Sequence, residues 1–172
     1  MKVVYSSAHL LHNPQSEIEK STTHSPHEHS GRGEAIREVL AADQTMRILS
    51  PSEWGTAPID AVHNPGLSRF LATAWADYQR AIGPTREVVP DFFYRASLRD
   101  GMRQGLEPEA INGKLGWWCF ETTTPITAGS YEAARGAVNT ALTATQLVLD
   151  GEHAAYGLCR PPGHHAARSM YG

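Results

Sequence analysis

The residues best suited to chemistry form one run, Arg160-Pro161-Pro162-Gly163-His164-His165. Imidazole gives or takes a proton near neutral pH. Two imidazoles with different partners can be held in different states, one a neutral base and the other a charged stabiliser. Two successive prolines fix φ, and Gly163 then permits a sharp departure and a close backbone approach. In extended backbone adjacent side chains point to opposite sides. The pair is therefore expected to do proton work beside a metal held elsewhere rather than to chelate one metal together.

The elements around this run set its position. The periodicity predicts strands at Lys2–Ser6 and Met46–Ser50 and a buried strand at His153–Cys159. It predicts helices at Gly31–Ala42, Leu67–Ile82 and across Gly129–Gly151. The last carries an apolar stripe of Ala134, Val138, Ala141, Leu142, Thr145 and Val148 or Leu149, with Gly151 as its C′ residue. A helix followed at once by an apolar strand is half of a βαβ unit, so a parallel, doubly wound α/β sheet is expected. The histidine pair would then lie past the C-terminal end of a parallel strand, where α/β folds gather their ligands. Residues 7–33 read as a polar loop. Residues 84–126, with four prolines and the aromatic run Gly116–Phe120, read as an excursion, either with exposed aromatics that suit a partner or a pocket wall or folded on its own small aromatic cluster.

Composition narrows the classes. The chain has 172 residues, 41% hydrophobic and 19% charged, enough for a globular core. A net charge of −3 gives no basis for nucleic-acid binding or for attraction to acidic membrane surfaces. No apolar run approaches a membrane span of about 18 residues. Two cysteines, Cys119 and Cys159, are too few for a disulfide scaffold and suit a reducing cytoplasmic compartment as small buried hydrophobes.

Arg160–Ala166, RPPGHHA, resembles the catalytic histidine motif of the histone deacetylase superfamily. MKVVYSSAHLLHNPQSE, LGWWCFETTTPITAGSYEAA and AAYGLCRPPGHHA resemble its acetylpolyamine amidohydrolase branch. The resemblance implies an arginase/deacetylase-like parallel sheet, about eight strands in the parent fold, flanked by helices. It implies zinc-dependent hydrolysis of the acetyl amide of acetylated polyamines or related acetylated amines. His165 would be the general base and then the general acid, and His164 the electrostatic partner on a buried carboxylate. A later tyrosine would hydrogen-bond the oxyanion. Glu17 matches an acidic residue that faces the cationic tail of a polyamine. Arg32 matches an arginine near the path of acetate release. The 84–126 segment would help to form a homodimer.

The sequence also departs from that pattern. Asn112 and Thr123 stand where the branch has two cation-binding glutamates, and Glu121 is close enough to compensate. The Asp, His and Asp that bind Zn²⁺ in the family are expected downstream of residue 172. The chain is thus expected to be the N-terminal half of a single domain, inactive alone. Three other readings stay open: an inactive oligomerising or binding module, an acetyl-lysine protein deacetylase, and a metal-binding loop using His24, His27 and His29. His63, before a helix, reads as a capping or core-edge histidine.

Overall fold

The computed structural model describes residues 1–95, 97, 100–103 and 105–172; four positions of the 84–126 segment lie outside the described residues. The elements run β1 (Lys2–Tyr5), a 3-10 helix (Ser7–Leu11), β2 (Glu17–Glu19), β3 (Thr22–His24), α1 (Ser30–Ala42) and β4 (Arg47–Leu49). Then come α2 (Ala57–Val62), α3 (Pro65–Ala81), α4 (Ile111–Trp118), α5 (Ser130–Leu149) and β5 (Ala155–Leu158). They form two compact units. One comprises residues 1–13, 26–59 and 129–163, the other 14–25, 60–128 and 164–172.

The first unit is an α/β layer: a parallel sheet of order β4-β1-β5 flanked by helices. Val3 pairs with Ile48 on one side and Tyr156 on the other. Val3 and Val4 of the central strand are fully buried, as β-branched residues at the middle of a parallel sheet should be. β5 lies at one end of this order, and its residues are only partly covered apart from Leu158. This corrects the reading of β5 as a buried strand.

α5 buries a different face from the predicted stripe: Ala133, Gly136, Asn139, Thr140 and Ala144. Small residues win because they let the helix approach closely. A Cβ on Gly136 would stand 2.9 Å from that of Ala8, and one on Gly157 would stand 3.5 Å from that of Ala144. Asn139 accepts from the Trp54 N–H at 3.3 Å and donates to Glu53 at 2.9 Å, so its buried amide is matched. Gly151 follows the helix with φ +106°, where glycine is favoured.

Residues 7–33 are more ordered than a loop. Ser6 caps the 3-10 helix by accepting from the Ala8 N–H at 3.3 Å. β2 and β3 form an antiparallel hairpin with Glu17 opposite His24. Its turn places Lys20 and Ser21 at φ 51° and 63°. Such turns normally use Asn or Gly, so the Lys-Ser pair carries no turn signal in the sequence.

The second unit packs Leu67, Phe70 and Ala74 of α3 against Val88, Ile111, Leu115, Trp118, Cys119, Ile126 and Tyr171. Val88 and Ile126 exchange two backbone hydrogen bonds of 2.9 Å. Trp118 is 4% exposed and Cys119 is fully buried, so the Gly116–Phe120 run is largely core, and only Phe120 is well exposed. Of the two readings of this segment, the packed aromatic cluster holds for the run and the exposed patch does not. A Cβ at Gly116 would collide with the Phe92 carbonyl oxygen. Gly116→Ala is therefore expected to lower stability by about 1–3 kcal/mol, read as a lower denaturation midpoint.

Candidate active site

His164 and His165 lie five and six residues beyond Cys159, the residue that follows β5. Both are exposed, and they occupy a turn. Their ring centroids are 4.1 Å apart at 69°, edge to face. The expectation of opposed side chains assumed extended backbone; a turn brings the rings together instead. Among the described residues no third His, Cys, Asp or Glu joins the pair at metal-binding distance. The pair by itself is therefore two ligands short of the four of a tetrahedral zinc site.

In the first unit, the arginine of the motif is buried and held through two of its three nitrogens, while Nη2 is buried without a partner. Arg160 is 4% exposed. Its Nε donates to both carboxylate oxygens of Glu28 at 3.0 and 2.9 Å, and its Nη1 donates to the carbonyls of His9 and His12 at 2.7 and 2.6 Å. Arg32, singled out by resemblance, is exposed in the first turn of α1, where its N–H donates to the His29 carbonyl at 3.1 Å. Glu28 carried no signal, because its partner is 132 residues away. Cys159 is exposed, contrary to expectation, because the chain leaves the sheet there.

Beside this anchor, Tyr5 donates to Glu34 Oε1 at 2.6 Å, buried His9 donates from Nε2 at 2.9 Å, and Arg37 donates to Oε2 at 2.8 Å. The Tyr5 hydroxyl, with His9 next, holds the Glu34 carboxyl down from 4.5 to about 2. Burial, reinforced by Glu34, pushes the Tyr5 hydroxyl up from 10.0 to about 12. A depressed carboxyl stabilises the fold above its unfolded value, and that contribution disappears as pH falls from 4.5 towards 2. Urea midpoints of the Glu34→Gln variant are therefore expected to fall less steeply than wild type across that window.

In the second unit, Ser16, Ile18, Thr85, Arg86, Glu87, Val89 and Thr122 line a cleft of about 270 Å³. Among the lining residues, Glu87 accepts from the N–H groups of Gln15 and Ser16 and from the Ser16 hydroxyl. Glu17, half-buried, lies between two of the lining residues. Thr122 donates to the Ile18 carbonyl at 3.1 Å, which brings the chain next to Glu121 against the chain next to Glu17. Glu121 Oε2 accepts from the Thr123 N–H at 2.6 Å and from its hydroxyl, while Oε1 is buried without a partner. Asn112 has a buried, unpartnered Oδ1 on α4. His164 and His165 are not among the residues lining the cleft. Glu87 was missed from the sequence: nothing in Thr85–Val89 distinguishes it from a solvated carboxylate. His24 lies in the second unit, and His27 and His29 in the first.

Among the described residues no helix is long and apolar enough to cross a membrane. The whole chain is 33% identical to acetylpolyamine amidohydrolase 2 of Pseudomonas aeruginosa, covering 48% of that protein. It is also 33% identical to the acetylpolyamine amidohydrolase of Mycoplana ramosa, covering 49%. Its fold matches all of this chain and 48% of the acetylpolyamine aminohydrolase of Burkholderia pseudomallei, with a TM-score of 0.87 at 26% identity. The chain spans about half the length of the curated relatives it matches. The histone deacetylase domain matches residues 26–172, an interval that contains the Arg160–His165 run, and the chain belongs to that family.

Proposed function

We propose that this chain is the histidine-bearing part of a deacetylase that hydrolyses the acetyl amide of acetylated polyamines or related acetylated amines. The observation that carries the reading is similarity over the entire chain to acetylpolyamine amidohydrolases, with the RPPGHHA run intact. In this reading His165 takes a proton from water as its oxygen bonds to the acetyl carbon. It then gives a proton to the amine nitrogen as the C–N bond breaks, releasing acetate and free amine. His164, in ring contact with it, stabilises the charge that develops. Glu17 and Glu121 hold the cationic part of the substrate at the second unit's cleft; the unpartnered Glu121 oxygen is suited to an ammonium donor. Arg32 serves release of acetate. Zinc, when bound, supplies a polarised carbonyl; its Asp, His and Asp ligands belong, in this reading, to sequence after Gly172. A homodimer through residues 84–126 is supported by exposed Phe92, Leu106 and Phe120. Cytoplasmic residence is supported by two free cysteines.

The test uses the product of the complete reading frame, with and without chelator. Acetate release is measured from N-acetylputrescine, acetylspermidine and an acetyl-lysine peptide. Chelator-sensitive turnover of the polyamines supports the reading. Asn112 and Thr123 in place of two expected glutamates favour a second reading, acetyl-lysine deacetylation, which peptide-selective turnover would establish. A stop codon directly after Gly172, with no acetate released, would leave the oligomerising module in its place.

A further inference from the structure

Beyond the histidine pair the chain stays exposed through Ala166, Ala167 and Arg168 and becomes buried again only at Tyr171. Tyr171 is held by its N–H donating to the Trp118 carbonyl at 2.8 Å. Between these points the segment is fastened to the α2–α3 junction within the same unit. His63 donates from Nδ1 to the Ala167 carbonyl at 2.9 Å, two residues past His165. The Asn64 N–H donates to the Arg168 carbonyl at 2.7 Å, and Arg168 Nη1 returns a hydrogen bond to the Val62 carbonyl at 3.2 Å.

The base of this staple is firm. Asn64 is the N-cap of α3, accepting from the Gly66 N–H at 2.8 Å. Gly66 is pressed against Trp118, leaving no room for a Cβ, and Leu67 and Phe70 are buried in the unit's core. A capping histidine would spend its ring on its own helix. This ring instead reaches 104 residues along the chain, to the first backbone acceptor fastened after the pair.

We infer that His63 is a positioning residue for the histidine pair: its Nδ1–H holds the Ala167 carbonyl and so sets the direction in which His164 and His165 point. The inference rests on the reading of that pair as the proton-transfer group. A general base must lie within hydrogen-bond reach of the proton it removes, and a misplacement of about 1 Å can cost about 100-fold in rate. The Nδ1–H donates in the charged ring and in one neutral tautomer, so the staple itself needs no change of protonation.

The test compares His63→Ala, His63→Asn and His63→Gln in the complete protein. The Asn side-chain nitrogen sits the same number of bonds from Cα as Nδ1 and can replace the donor; that of Gln is one bond further. His63→Ala is expected to lower kcat about 10- to 100-fold with KM little changed, His63→Asn to recover most of the loss, and His63→Gln to recover little. The ring resonances of His164 and His165, assigned from their own Ala variants, are expected to move in His63→Ala and return in His63→Asn. Wild-type kcat in His63→Ala, or unmoved rings, overturns the inference. So does an Asn variant as impaired as the Ala variant. If the wild-type protein releases no acetate from any acetylated amine, the deacetylase reading fails by itself, and the ring resonances still decide the positioning role.

Discussion

Replacing His165 by Ala is expected to lower kcat/KM for acetyl-amide hydrolysis by about 10²- to 10⁴-fold, the usual worth of a positioned general base. In the proposed mechanism the same imidazole acts twice, on the attacking water and on the departing amine. Both steps lose their proton carrier, and KM should change little. His164→Ala is expected to cost less, because that ring acts through charge rather than by carrying the proton. The pair lies edge to face at 4.1 Å, so removing one ring changes the field on the other. The pH–rate profile of His164→Ala should therefore move along the pH axis, whereas that of His165→Ala should lose its basic-form limb. Equal losses with unchanged profiles would count against separate roles. The measurements are initial rates of acetate release from pH 5.5 to 9 on the complete protein.

The second large effect is on stability. Arg160→Ala is expected to cost about 3 kcal/mol, the lower end for breaking a buried ion pair. The substitution leaves the Glu28 carboxylate and the carbonyls of His9 and His12 without their donor. The lower end applies because the Glu28 side chain retains 31% exposure and can recover some hydration. Arg160→Lys keeps the charge but cannot reach a carboxylate and two carbonyls with one rigid fork, so it should recover only part of the loss. Glu28→Gln in the Arg160→Ala background should soften the penalty, since the orphaned charge is then gone. Chemical denaturation midpoints of wild type, Arg160→Ala, Glu28→Gln and the double variant close this cycle. A loss below about 1 kcal/mol for Arg160→Ala would show that water replaces the guanidinium without difficulty.

What the sequence made legible and what it hid divide along physical lines. β1 was readable because Val3–Val4 is a β-branched run and β5 because an apolar run follows a helix at once, and Gly151 marked the end of α5 because its conformation suits glycine. The histidine pair was readable because Pro-Pro-Gly is an unusual frame. The buried face of α5 was not, because hydropathy ranks Val138 and Leu142 above Gly136 and Thr140, while close packing against Ser6 and Ala8 selects for small size. The Lys20–Ser21 turn was hidden because neither residue advertises positive φ. The partners of Arg160, Glu28, Glu87 and His63 were hidden for another reason. These partners lie roughly a hundred residues away, and no window of sequence holds both ends.

The two carbonyls that Arg160 grips precede it by 151 and 148 residues. β1 likewise pairs on one side with residues 155–158. On the ribosome β1 and the turn after it must wait, with an unsatisfied edge and ungripped carbonyls, until residues 155–160 have emerged. At a synthesis rate of roughly 5–20 residues per second that delay is on the order of ten to thirty seconds. The order of manufacture thus makes nascent β1 a natural client for chaperones, and slow codons between residues 50 and 150 would lengthen its exposure without changing a single contact in the finished fold.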